Sequence, residues 1–173
     1  MIHRIELAAV FVLTVALQAA AQSPDFSGTW RLDKSVSKIN PASGLAGLGA
    51  GGAPDTLHVT HAANGTLVIG SEVNESQARL YRPERDSEFL VGRDRMVRVR
   101  TRIEGNRILV EGRQEEGGPP VALREVLTLS PNRDTLTIEV VTTTAQGEAA
   151  TTLVYKPTAS AGACQSWPTP CRP

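Results

Sequence analysis

The chain has 173 residues, and its 18 Lys and Arg residues balance its 18 Asp and Glu residues. This zero net charge argues against a nucleic-acid partner held by bulk charge, and an apolar fraction of 40% argues against a disordered chain. Aromatic residues make up only 4% of the sequence, which excludes a binding wall of stacked rings.

Residues 1–21 have the pattern of a secretory signal peptide, with Arg4 near the start, an apolar run, and small residues at Ala19–Ala21. The uncharged run is shorter than a membrane-spanning helix needs. We therefore expect cleavage before Gln22 and no stable membrane insertion afterwards, the alternative being an uncleaved anchor. This pattern predicts an exported protein, periplasmic or extracellular.

In the body of the chain, residues 22–157, apolar and polar residues alternate with a period of two, and this pattern predicts strands joined by turns. Connectors after residue 62 are too short for crossover helices, so neighbouring strands should pair antiparallel. The predicted strands are 28–33, 55–62, 66–73, 77–83, 95–104, 107–114, 121–130, 135–144 and 149–157, with 89–91 as an optional addition to the fifth.

Alternation also predicts which side chains face inward and how hairpins align. Pairing Ile103 with Ile108 leaves the two-residue loop Gly105-Asn106 and places Glu111 opposite Arg100. The same register puts three arginines on the outer face, namely Arg98, Arg100 and Arg102. The alternative parity would turn them inward to hold an anionic head group.

Two other hairpins have predictable turns. In the first, matching apolar faces require a three-residue loop, residues 63–65, with Gly65 in a left-handed conformation. The last should turn at Gln146-Gly147, which aligns Val140 with Leu153.

Eight or nine sequential antiparallel strands predict an all-β domain, a single up-and-down meander. We expect it to close as a barrel because an open meander would leave two edges exposed, and a β-sandwich is the alternative. An outer-membrane barrel fits poorly, since the arginine face would meet lipid.

The opening of the body, Asp25-Phe26-Ser27-Gly28-Thr29-Trp30-Arg31-Leu32-Asp33, places a Gly-x-Trp core before the first strand. This resembles the lipocalin-like (calycin) β-barrels, and also small exported bacterial proteins of unassigned function that share a Phe-Ser-Gly-Thr-Trp-x-Leu-Asp opening. The resemblance implies structural roles for Gly28 and Trp30, with Trp30 packed under the closed end of a barrel. The chain shows no second or third lipocalin signature and no C-terminal helical pattern.

A small apolar or amphiphilic ligand inside the barrel is the leading functional hypothesis. An eight-stranded barrel either fills with side chains or holds one small ligand. The expected contacts are inward-facing residues, namely Tyr81, Phe89, Val97, Val99, Leu127, Ile138 and Tyr155. The alternatives are a cell-envelope structural or protein-binding module and, third, an isomerase-type enzyme.

Other motifs predict no cofactor, metal or catalytic centre. The run at 47–52 matches a dinucleotide fingerprint by letter, but Pro54 and a strand follow it, so we expect a Gly-rich loop over 41–54. His58 and His61 point to opposite faces of one strand and cannot share a metal. No nucleophile motif accompanies them.

The C-terminal segment, residues 158–173, is rich in Pro and Ala and contains both cysteines, Cys164 and Cys171. In an oxidising compartment we expect these two to form a disulfide with each other. The sequence does not predict an oligomeric state.

Overall fold

The structure, a computed structural model, describes residues 24–40, 53–71, 78–91, 95–114 and 120–158, and the side chains of 89–91 and 95 are not described. The predicted leader, residues 41–52 of the Gly-rich loop, and residues 159–173 of the C-terminal segment, with Cys164 and Cys171, lie outside these residues. Within the described ranges no helix is long and apolar enough to cross a membrane. The strands are β1 (Gly28–Leu32), β2 (Thr56–His61), β3 (Leu67–Ser71), β4 (Arg79–Tyr81), β5 (Asp86–Val91), β6 (Arg95–Glu104), β7 (Arg107–Gln114), β8 (Val121–Leu129), β9 (Leu136–Thr144) and β10 (Gly147–Pro157).

The strands form one antiparallel sheet in the order β4-β3-β2-β1-β10-β9-β8-β7-β6-β5. The two edge strands, β4 and β5, are consecutive in the chain, and the sheet curls until they approach each other. The turn between them is joined to β6, where the Glu84 N–H donates to the Thr101 carbonyl over 2.9 Å. The predicted all-β up-and-down meander is confirmed as one nearly closed barrel.

The described residues form ten strands instead of the predicted eight or nine. The difference lies at 86–91, which forms a separate strand rather than an addition to the fifth predicted strand. A turn at Arg82–Arg85 reverses the chain here, with the Arg85 N–H donating to the Arg82 carbonyl over 3.3 Å. Glu84 takes a positive φ of 56° in this turn, a backbone angle uncommon for residues other than glycine.

Two of the predicted hairpins have the expected register. Ile103 pairs with Ile108, Arg100 pairs with Glu111, and Gly105 has a φ of 58°. In the β2–β3 hairpin the Ala62 N–H donates to the Thr66 carbonyl, leaving a three-residue loop in which Gly65 has a φ of 79°. Apolar alternation and glycine placement are sufficient to predict both turns.

The predicted register of the last hairpin is wrong by two residues. Val140 pairs with Thr151 instead of Leu153, because the loop is Ala145-Gln146 and Gly147 already belongs to β10. Both loops have two residues, and moving the loop back by one position adds the pair Thr144–Gly147 and keeps the same faces inward. Parity alone cannot distinguish these registers, since both place the same side chains inside.

One end of the barrel is closed by the segment that precedes β1. Phe26 is completely buried there, with its ring edge-on to the ring of His61 at a centroid distance of 5.7 Å. Its carbonyl accepts a 3.1 Å hydrogen bond from Trp30 Nε1, and Arg133 Nη2 donates to the Asp25 carbonyl over 2.6 Å. These contacts lie on both sides of β1, so the segment covers this end.

The inner face of the sheet forms a single hydrophobic core. Its apolar members include Trp30, Leu57, Val110 and Leu136, each at most 3% exposed. Arg98, Arg100 and Arg102 lie on the outer face and are exposed, as alternation predicted, so the alternative parity is wrong. Burial of this inner face supplies the main driving force for folding, at about 25 cal/mol per Å² of apolar surface.

Candidate functional site

Three polar side chains meet inside the barrel and join opposite walls. Arg79 and Tyr81 lie two residues apart on β4 and therefore point to the same face. Their neighbours Ile69 and Leu67 on β3 belong to the core, which makes that face the inner one. Glu125 lies on the inner face of β8, several strands away in the sheet.

The three side chains form hydrogen bonds with one another, and we call them the interior triad. Arg79 Nη1 donates to Glu125 Oε1 over 2.7 Å, and the Tyr81 hydroxyl donates to Glu125 Oε2 over 2.9 Å. Arg79 Nη1 also lies 3.4 Å from the Tyr81 hydroxyl oxygen. Arg79 is 2% exposed and Glu125 is 1% exposed, so the ion pair has almost no contact with solvent.

Burial and neighbouring groups together set the protonation of Tyr81 and Arg79. Burial raises the pKa of the Tyr81 hydroxyl far above its ordinary value, the nearby Glu125 carboxylate adds to this, and Arg79 opposes it. Burial disfavours the charge on Arg79, but its interactions with Tyr81 and Glu125 outweigh this, so the pKa of Arg79 is raised. Tyr81 is therefore a neutral donor, and the positive charge of Arg79 is matched by Glu125.

Two further polar atoms on the inner face lack a hydrogen-bond partner. They are Thr101 Oγ1 and Gln114 Oε1, both buried among the described residues. Thr101 and Glu125 belong to one cross-strand row, separated by Val110, so their backbones lie about 10 Å apart. Buried polar atoms without partners cost stability, which makes each of them a place where a bound molecule could form a hydrogen bond.

The predicted ligand contacts lie together on the inner face. Tyr81, Val97, Val99, Leu127, Ile138 and Tyr155 are all at most 1% exposed and belong to the hydrophobic core. Phe89 pairs with Val97 in the sheet, and its side chain lies outside the described set. Burial raises the pKa of the Tyr155 hydroxyl, which donates to the Pro54 carbonyl over 3.1 Å. Tyr81 is the predicted contact that joins the triad.

Gly28 and Trp30 both lie on β1. Gly28 opens β1 opposite Val59 and has a φ of 147°, and Trp30 is buried beneath the segment that closes the barrel. His58 and His61 lie on opposite faces of β2, and their ring nitrogens contact Thr29 and Phe26 respectively. The described residues contain no group of three His, Cys, Asp or Glu side chains that could hold a metal.

Sequence reasoning missed Arg79 and Glu125, although a signal for both was present. Glu125 shares its parity with Leu123 and Leu127, and Arg79 shares its parity with Tyr81. Two charges of opposite sign on inward positions predict a buried ion pair, because an unpaired buried charge is very costly.

Two grooves described on the barrel surface have volumes near 450 and 460 Å³. The first, which we call the arginine groove, crosses the outer face of β6, β7 and β8. The second lies beside the start of the body and is lined by Arg31, Lys34, Asp55 and Lys156 among others. Both are separate from the interior triad.

No protein-family model matches the chain. No curated protein sequence matches it either. Solved structures do match its fold. Zebrafish ileal bile acid-binding protein complexed with cholic acid aligns with a TM-score of 0.51 and 14% identity, over 77% of this chain and 98% of that one. A fatty acid transporter, REP1-NXSQ, aligns with a TM-score of 0.50 and 12% identity, over 76% of this chain and 95% of that one. The chain therefore shares an antiparallel β-barrel fold with these two proteins.

Proposed function

We propose that this protein is exported and that its barrel interior binds a small apolar or amphiphilic molecule. The observation that carries the proposal is the inner face itself, a continuous apolar surface interrupted by a few buried polar groups on a calycin-like barrel. Ligand sites in proteins commonly combine an apolar lining with a small number of fixed polar groups. Two solved proteins of similar fold are described as a bile acid-binding protein and a fatty acid transporter, which supports the same proposal.

The polar groups favour an uncharged head group on the ligand. Arg79 is already neutralised by Glu125, so a ligand carboxylate would have to displace that carboxylate or remain unpaired. Gln114 Oε1 accepts no hydrogen bond from the residues that the structure describes, and a hydroxyl or amide group on a ligand could donate one. Because the described inner side chains pack closely on one another, they must move apart to admit a ligand.

The experiment that tests this proposal is native mass spectrometry of the exported protein, compared with its denatured mass. A mass that begins at Gln22 would support export, and a loss of two hydrogens would support the Cys164–Cys171 disulfide. Extra mass present only under native conditions would identify a bound molecule. A long-chain alcohol and the carboxylic acid of equal chain length are then added separately. We expect the protein to bind the alcohol more tightly than the acid.

The variant Gln114→Leu locates the ligand, and Arg107→Gln on the outer face of the same strand is its control. We expect Gln114→Leu to weaken alcohol binding about tenfold, since one hydrogen bond to a buried partner is lost, and Arg107→Gln to have no effect. Absence of any bound molecule, with neither alcohol nor acid retained, would contradict the proposal.

A further inference from the structure

The arginine groove on the outer face is a second candidate site, independent of the barrel interior. It is lined by exposed side chains of β5 to β9, including Arg98, Arg100, Arg113, Arg124 and Glu111. Its volume of about 450 Å³ lies within the range of small-molecule sites.

Strand register creates an unusual charge arrangement in this groove. Arg98 on β6 lies directly opposite Arg113 on β7. Like charges at directly opposed positions destabilise a sheet, whereas the next row alternates favourably through Arg100, Glu111 and Arg124. An anion between Arg98 and Arg113 would relieve that repulsion.

The existing carboxylates leave part of the positive charge unmatched. Arg98 pairs with Glu88 at 2.9 Å, and Glu111 lies 3.5 Å from Arg102, outside the groove. Arg100, Arg113 and Arg124 form no ion pair within the described part of the chain. Four arginines and two carboxylates, Asp86 and Glu111, line the groove, and their ion-pair partners outside it are Arg102 and Glu88. The total is five arginines and three carboxylates, an excess of two positive charges.

The shape of the groove leaves room for a ligand beside these arginines. The position opposite Arg113 on β8 is Ala122, and the position opposite Ala122 on β9 is Thr143. These short side chains form the floor, while longer guanidinium groups border it. Guanidinium groups bind phosphate oxygens through paired, charge-assisted hydrogen bonds, and a phosphate monoester carries close to two negative charges at neutral pH.

From this geometry we propose that the arginine groove binds a phosphate group on the outside of the barrel. The phosphate group could belong to a soluble phosphoester or to a lipid head group. Binding involves the guanidinium groups of Arg100, Arg113 and Arg124, and the anion offsets the repulsion between Arg98 and Arg113.

The test is calorimetric titration with inorganic phosphate at constant ionic strength, with chloride as the replaced anion. We expect saturable binding by the unmodified protein and about tenfold weaker binding by Arg113→Gln or Arg124→Gln, since each loses a charge-assisted hydrogen bond. The control is Arg107→Gln, an exposed arginine of the same strand that does not line the groove. It should bind phosphate normally.

A stability measurement accompanies the titration and confirms that the variants fold. Without phosphate, Arg113→Gln should have a melting temperature at least equal to that of the unmodified protein, because the repulsion with Arg98 is removed. Sedimentation with phosphatidylcholine vesicles, with and without phosphatidic acid, then separates the two sources of phosphate. Retention on phosphatidic acid that depends on Arg113 supports a lipid head group, and phosphate binding without retention supports a soluble ligand. Equal weakening in Arg107→Gln, or no binding to either probe, would overturn the proposal.

Discussion

At the closed end of the barrel, burial favours the neutral form of one side chain, His61. The Nδ1 atom of His61 accepts from the Phe26 N–H over 3.5 Å, so the neutral ring carries its proton on Nε2. Nε2 is buried and has no hydrogen-bond partner in the described part of the chain. Burial lowers the pKa of His61 below its ordinary 6.5, and the charge of Asp25 opposes this in part.

This arrangement predicts a pH dependence of stability. As pH falls below about 6.5, the unfolded chain takes up a proton that folded His61 does not, so the free energy of unfolding should decrease until the folded pKa is reached. Urea unfolding between about pH 8 and pH 5 measures this, and His61→Gln should have a shallower pH dependence. An identical slope in the variant would show that a different group is responsible.

For single residues, the sequence predicts most inward-facing apolar side chains but not the buried ion pair. Alternation identified the inward positions of Val97, Val99 and Leu127, because each has an apolar residue two positions away on the same face. It also implied inward positions for Arg79 and Glu125, but a charged residue in an apolar row looks like an interruption until its partner is known. That partner lies 46 positions away, and only the closed barrel brings the two together.

At the scale of strands and turns, the conformation of each turn determines how the two strands of its hairpin pair. The β2–β3 turn requires glycine at position 65 for two reasons, its φ of 79° and the lack of space for a side chain. A Cβ atom at Gly65 would lie 2.9 Å from Pro83 Cγ and 3.3 Å from Ile103 Cδ1. Gly105 in the β6–β7 turn has a similar φ of 58°, but a Cβ atom added there would meet nothing within 4 Å. The last hairpin is ambiguous in sequence because Ala145-Gln146 and Gln146-Gly147 are both acceptable turns.

These two glycines provide a matched pair of variants. Gly105→Ala should cost about 1 kcal/mol, the strain of a left-handed alanine, whereas Gly65→Ala should cost about 2 to 4 kcal/mol because overpacking is added. Chemical denaturation of both variants measures the difference. Equal losses would show that Pro83 and Ile103 move aside without cost.

At the scale of the whole molecule, the interior triad connects β4 with β8, two strands that do not pair in the sheet. Strand β4 has only three residues and pairs only with β3, so its second edge faces the gap in the barrel. The bonds from Arg79 and Tyr81 to Glu125 hold this edge against β8 from the inside. The triad therefore stabilises the closed form of the sheet.

Glu125→Gln should destabilise the protein by about 3 to 5 kcal/mol, because it leaves the buried charge of Arg79 without its counterion. Amide exchange at 79–81 should accelerate together with the loss in urea-induced unfolding free energy. The control is Glu88→Gln, which breaks the exposed pair with Arg98 and should cost about 1 kcal/mol or less. If both variants lose the same stability, the triad does not hold the barrel closed.

The position of the gap has a consequence for how the chain could be connected. Strands β1 and β10 pair in the middle of the sheet, joining Trp30 to Pro157 across 127 positions, while both sheet edges lie beside the four-residue turn at Arg82–Arg85. A chain that began at β5, continued from β10 into β1 through a short linker, and ended at β4 would keep every strand pairing. In that circularly permuted order all neighbouring strands would be consecutive, and the β1–β10 ladder would become a local hairpin, which lowers contact order and favours faster folding.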